Sequence, residues 1–350
     1  METYEYIFAA VIIVAILIAA SFLTSITPQL YRSTSEIDQL KMAAQKIMVE
    51  ILLNPGYPPD WGKNIAIGAG DLSSFGLAAY TEFTRSAYFL DPDKVQRLSR
   101  DLPEQLYVPP SRLLKLLNIG FEYDIKIEFI PALNVNIYRL NSNNISVKVS
   151  SEHGMPAVNA NVTAKIFYVH DGEIVFSEGS GLTGSTGDCV ISLQHSTPAL
   201  LIVAVDHYGV QMVKAEYVGS PYIGYIIGNF LLVGSSINVA GDRARQVSAV
   251  KFSNGKLKLI DVGCSLKFHS DFSGRLSYKV YDMGFEEPYL VAAVTLAEDG
   301  GLIAACKVIP DSYGSSSGDV YPPLAYMLER SVKIGPSAYT FRLRVWKTSW

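Results

Sequence analysis

Five histidines, three cysteines and one GxSxG string are the features through which this 350-residue chain could do chemistry. His153, His170, His195, His207 and His269 show no HxH, HxxxH or HExxH spacing, so they are not set to share a metal, and no metal site is expected. Asp206 and His207 are adjacent, and neighbours on a strand point to opposite faces, so they do not make a dyad. Gly314-Ser315-Ser316-Ser317-Gly318 matches GxSxG, but a nucleophile elbow needs a strand before the serine and a helix after it. Here the string lies in the polar run SYGSSSGD ahead of Pro322-Pro323 and reads as a flexible linker. No glycine-rich phosphate loop occurs. No catalytic residue and no cofactor are expected, and an anchored hydrolase is the least favoured reading.

Cys189, Cys264 and Cys306 form no CxxC pair, which argues against structural zinc. Cys264 and Cys306 both sit in strand-like runs and are candidates for a disulfide if those strands are neighbours; otherwise the three are small buried hydrophobes. Hydrophobic residues are 49% and charged residues 18% of the chain, with the Val, Ile, Tyr, Phe and Thr that suit strands. A net charge of −4 argues against nucleic acid as a partner, since phosphate binding needs a positive field. The 21 tyrosines could offer contacts to carbohydrate or protein, although packing in strands accounts for most of them.

The elements that would position all this begin with residues 6–26, YIFAAVIIVAILIAASFLTSI. No charge occurs between Glu5 and Arg32, and 21 residues rise about 31 Å as a helix, the thickness of a bilayer core. Tyr6, Ile7, Phe8, Val11, Ile12, Ile13, Val14, Ile16, Leu17, Ile18, Phe22 and Leu23 would be its lipid face. A cleaved signal peptide would need a basic stretch before the apolar run, and Met1 to Glu5 supply none, so a retained single-pass anchor in the lipid bilayer is expected. Arg32, Lys41 and Lys46 follow the segment, which taken alone places the body inside. Two glycosylation sequons, at Asn144 and Asn161, and the strand-rich body favour the outside, and an extracellular body is the expectation.

Pro28 predicts a kink or pause. Ser35 then caps EIDQLKMAAQKIMVEILL, in which Ile37, Leu40, Ala44, Ile47 and Ile51 recur at steps of three and four and share one stripe. Asn54-Pro55-Gly56 ends this second helix. Either the stripe packs on the chain's own body, or the two helices form one long stalk that bundles with copies from other subunits.

An apolar N-terminal helix running into an amphipathic one is the layout of type IV pilin-like proteins. The turn that follows, with Pro55, Gly56, Pro58, Trp61 and Gly62 in NPGYPPDWG, resembles that of archaeal membrane-anchored pilin-like surface proteins. The later Phe75-Gly-Leu-Ala, Asp91-Pro-Asp-Lys-Val, Leu113-Leu-Lys-Leu-Leu and FEYDIKIEF extend the resemblance over residues 1–140. It implies self-association into a filament or surface assembly.

Beyond it, FEYDIKIEF alternates strictly and predicts a half-buried strand. Short strands at regular spacing over 133–219 predict a β-sandwich. Its GMPAVNANVTA and GSTGDCVISL resemble bacterial Ig-like and carboxypeptidase-regulatory-like modules. Residues 220–350 are strand-rich, with hairpins at Asn254-Gly255 and Asp299-Gly300. LVAAVTLA and LIAACKVI are apolar on both faces and predict central strands covered on both sides, with helical cover from the amphipathic helix or from 322–330. In the last strand, Tyr339, Phe341, Leu343 and Val345 face one way and Arg342 and Arg344 the other.

The expected fold is mainly β with an N-terminal membrane and stalk helix: an α+β pilin-like head plus an Ig-like β-sandwich. The expected units are 1–30 (anchor), 31–54 (stalk helix), 55–132 (part of the head), 133–219 (sandwich) and 220–350 (β-rich, closing the head sheet). The expected function is a cell-surface structural or adhesive subunit. The alternative is a monomeric anchored binding module for a glycan or a surface-layer protein.

Overall fold

The computed structural model describes residues 2–80, 87–119, 122–141, 143–241, 245–253, 255–272, 276–284, 290–314 and 325–348; side chains are described for the same residues except 2–10, 22–35, 245–246, 268–272 and 276–277. The chain is mainly β behind one long N-terminal helix.

Helix α1 spans Glu2–Leu53 without interruption. At 1.5 Å per residue it is about 78 Å long. The helix is not broken at Pro28, so the anchor and stalk segments are one element. Proline removes one backbone bond of a long ladder, and here the ladder on either side is enough to carry the helix through. After α1 come β1 (Phe89–Leu90), α2 (Pro92–Gln96), α3 (Pro110–Leu116) and β2 (Tyr123–Pro131). The sandwich strands are β3 (Leu133–Asn141), β4 (Asn144–Ser151), β5 (Asn161–His170), β6 (Glu173–Leu182), β7 (Asp188–Ser192), β8 (Ala199–His207) and β9 (Val210–Val218). Then follow β10 (Tyr222–Ile227), β11 (Phe230–Gly234), β12 (Arg245–Ser253), β13 (Lys256–Phe272), β14 (Leu276–Asp282), β15 (Leu290–Leu296) and β16 (Leu302–Cys306). The chain closes with β17 (Ser312–Gly314), β18 (Ala325–Ile334) and β19 (Ser337–Lys347).

The head is a five-stranded sheet ordered β1-β18-β19-β2-β17. Its centre joins distant parts of the chain: Phe341 lies opposite Phe129 and Leu343 opposite Ile127. Alternation sorts its faces. Tyr339, Phe341, Leu343 and Val345 are buried with Ile125, Ile127 and Phe129, in one apolar cluster with Leu40, Ala44, Ile47 and Ile51 of α1. On the opposite face Glu128 lies 3.3 Å from Lys126, 3.6 Å from Arg342 and 3.4 Å from Arg344. Residues 325–330, expected to be helical cover, are strand.

Two antiparallel sheets, β3-β4-β7 and β6-β5-β8-β9, form the sandwich. Val147, Val149 and Ile191 from one sheet and Val162, Ala164 and Val203 from the other share one core.

Between the sandwich and the last strands the chain makes a closed seven-stranded barrel, β10-β11-β14-β13-β12-β15-β16, so of the C-terminal region only β17, β18 and β19 join the head sheet. Parallel pairing of Tyr222 with Ile303 and Gly224 with Ala305 shuts it. The doubly apolar strands are indeed covered on both faces, but by other cover than a helix. Ala293, Ile303 and Ala305 point into the barrel, while Ala292, Val294, Leu302 and Ala304 pack outward on Phe167, Leu200 and Ile202 of the sandwich. A period-two strand with small residues suits such a two-sided wall.

This arrangement rules out the Cys264–Cys306 disulfide, and no such bond is formed. Cys264 belongs to the barrel interior and Cys306 to the outer packing layer. Their strands are separated by β12 and β15, about 14 Å at the usual strand spacing, beyond disulfide reach.

Candidate functional site

Two parts of the molecule stand out chemically: a bare length of α1 and a buried charged joint beside the end of that helix. In the bare length, Val11, Ile12, Ile13, Val14, Ile16, Leu17 and Ile18 are 46–63% exposed. Consecutive helical residues turn by about 100°, so these seven cover the whole circumference. The side chains of Tyr6, Ile7, Phe8, Phe22 and Leu23 lie outside the described ones. Among the described residues no helix is long and apolar enough to cross a membrane.

The other end of α1 is different. Leu40, Ala44, Ile47 and Ile51 are at most 1% exposed, and the head sheet covers them. The stripe is therefore occupied within the chain and does not face another subunit, while Ile37, at 40% exposed, lies beyond the head's cover.

At Leu53 the helix stops, and the Pro-Gly-Trp turn folds back on its end. Asn54 Oδ1 accepts the Gly56 N–H at 2.8 Å, and Gly56 sits at φ +75°, where a side chain would be strained. Trp61 is fully buried, donating Nε1 to Pro55 O at 3.1 Å and Gly76 O at 3.3 Å. A Cβ on Gly62 would fall 2.5 Å from Lys94 Cγ, so glycine there lets α2 close on the turn.

Helix α2 supplies the charged joint. Asp91 caps it by accepting the Asp93 N–H at 2.9 Å. Lys94 donates to Pro55 O at 2.8 Å and Ala78 O at 2.9 Å, and burial draws its ammonium down to about 8 against the pull of Asp91 and Asp60. Arg97, also lowered by burial, to about 10, donates to Leu106 O at 2.9 Å and to the carbonyls of Trp61 and Ile67. Asp93 and Gln96 reach the barrel: Asp93 pairs with Lys307 at 2.8 Å, and Gln96 Nε2 donates to Ile226 O at 2.8 Å. Buried charges persist only when paired or hydrogen-bonded, and these five groups tie turn, head and barrel together. The Asp91 cap and the apolar residues of this helix are readable in the sequence, but the joint is not; its one faint signal is the density of charge in DPDKVQR.

The other sequence candidates are dispersed. His207 Nε2 lies 3.2 Å from Val158 O, while Asp206 accepts from Gly209 N and Gln211 Nε2, so the adjacent pair does not meet. Ser316 and Gly318 lie outside the described residues. Among the described residues no group of three His, Cys, Asp or Glu could hold a metal. Asn161 is exposed and Asn144 half-buried, each at the start of a strand. A cavity of about 520 Å³ lies among head, sandwich and the end of β16. In its wall Tyr217 Oη is 3.0 Å from Cys306 Sγ, and burial raises both groups, which keeps the thiol protonated and a poor nucleophile at neutral pH. No family model matches the chain and no curated protein matches it, so the residues themselves carry the reading.

Proposed function

We propose that the chain is a cell-surface structural subunit of the pilin-like kind, anchored by residues 6–26 and carrying an α+β head and an Ig-like sandwich outside the cell. The observation that carries this is the bare apolar cylinder at Val11 to Ile18, exposed on all sides. Removing these seven side chains from water is worth on the order of 10 kcal/mol, and nothing in the described chain does so. A bilayer, or a bundle of sister helices, would. The pilin-like turn adds to the reading, since it locks the head against the same helix. Exposed Asn161 gives an outward-facing body a place for a glycan.

A monomeric anchored binding module is the second reading, favoured by one observation: the stripe from Leu40 to Ile51 is spent on the chain's own head.

The test is surface labelling of intact cells with a membrane-impermeant biotin reagent, paired with alkaline extraction of membranes. The expected result is labelling without lysis and retention in the membrane pellet. Labelling only after lysis would end the surface reading, and release by alkali would end the anchor. Filaments with residues 6–52 at their centre would support the subunit reading; dispersed monomers in detergent would favour the binding module.

A further inference from the structure

We propose that Asp93 and Lys307 condense into an intramolecular amide, a covalent staple between helix α2 and the chain as it leaves the barrel. The two residues are 214 positions apart, yet Lys307 Nζ lies 2.8 Å from Asp93 Oδ2, with side chains 6% and 11% exposed. The second carboxyl oxygen is held separately: Asp93 Oδ1 accepts Gln96 Nε2 at 2.8 Å and the Gly228 N–H at 3.1 Å. Two donors on one oxygen polarise Cγ and are placed to hold the negative charge that develops when nitrogen adds there. A further carboxyl is tied to Asp93 through the backbone: Asp91 Oδ1 accepts the Asp93 N–H at 2.9 Å. Burial and the Asp93 charge raise Asp91 towards its neutral form, and it feels the Lys307 charge as well. A carboxylic acid in that position can carry a proton from the nitrogen to the departing oxygen.

The reaction balances without any added reagent. One proton passes from Nζ to the carboxyl across the 2.8 Å contact, which frees the lone pair on nitrogen. Nζ then bonds to Cγ and the Cγ–Oδ2 bond breaks. Oδ2 leaves as water with two of the three ammonium protons, and the third remains on the amide nitrogen. Holding Nζ 2.8 Å from Oδ2 of the carboxyl it would attack replaces an encounter step with an intramolecular one. Lys94 is nearby but is not the nucleophile, because its Nζ is turned to the Pro55 and Ala78 carbonyls.

The experiment is the intact mass of the purified, folded full-length chain, measured in denaturant and followed by peptide mapping. The chain is expected to be lighter than its sequence by one water, with a branched peptide joining Asp93 to Lys307. Lys307→Arg keeps a cation opposite Asp93 and Asp91→Asn keeps the helix cap; both are expected to show the full sequence mass. An unmodified wild-type mass overturns the proposal, as does a water loss mapped to any other pair of residues. The wild-type mass is decisive by itself, so the test holds even where a variant fails to fold. Neither outcome depends on where the body of the protein resides.

Discussion

Two stretches of this chain are apolar on every side, and they have opposite surroundings. Strands β15 and β16 bury one face in the barrel and the other on the sandwich, so their Ala, Val, Leu and Ile side chains find partners inside the molecule. Residues 11–18 of α1 have the same character and remain exposed all round. Composition does not separate the two; length and period do. A run of five to seven residues with period two is thin enough for its own fold to cover on both sides, whereas the apolar helix extends past the head that covers its other end.

Charge placed in each stretch should break the comparison most sharply. Ile303→Asp puts an unpaired carboxylate inside the barrel wall and is expected to cost more than about 4 kcal/mol, enough to abolish soluble folded protein, read by circular dichroism. Leu17→Asp should leave the melting temperature of the body unchanged and weaken retention in membranes.

Next in size is the contrast within α1. Ile47→Ala should destabilise the body by about 2–5 kcal/mol, because the cavity forms under the head sheet. Ile13→Ala should change it by less than about 0.5 kcal/mol. Equal losses in chemical denaturation would mean that the head reaches further along the helix than residue 40.

The joint at the end of the helix should show its burial through pH. Lys94 titrates near 8 when folded against an ordinary 10.5, so the unfolded chain binds the extra proton between those values. Its contribution is lost as pH falls through 8, and stability should rise by up to about 3 kcal/mol from pH 8 to 10.5. Buried Tyr217 and Tyr339 are raised instead, mainly by burial, so their contribution falls away once unfolded tyrosine ionises near pH 10. Lys94→Met should flatten the rising limb in denaturation midpoints taken across this range. Among the substitutions expected to destabilise the body, the smallest loss is that of Trp61→Phe, which removes the two Nε1 bonds but keeps most of the packing, at about 1–3 kcal/mol.

Much of the local structure is legible in the sequence, because local rules govern it. Strict alternation marks β2 and both faces of β19, and Asn54-Pro55-Gly56 marks the helix end. Ser253 pairs with Lys256 on either side of the hairpin expected at Asn254-Gly255, of which Asn254 lies outside the described residues. What local rules cannot reach is pairing across distance. Closing the barrel depends on a parallel match between β10 and β16, some eighty residues apart, and no feature of either strand names the other. Without the barrel, doubly apolar strands call for a helical cover, and Cys264 and Cys306 look like neighbours. The Asp93–Lys307 contact is hidden for the same reason. The single long helix is legible only in part, for a different reason: a proline signals a break locally, yet an otherwise helical run of 52 residues carries across it.

The head sheet draws β2 from the first half of the chain and β18 and β19 from its last thirty residues, with sandwich and barrel made in between. During synthesis the stripe from Leu40 to Ile51 thus leaves the ribosome early and waits for more than two hundred residues before its cover exists. The sandwich and barrel can each close in passing, but the head cannot. A chain interrupted before β18 and β19 would therefore present an uncovered amphipathic helix, the kind of surface that chaperones and proteases read, so that the β18–β19 hairpin acts as a built-in check that head, sandwich and barrel have all been made.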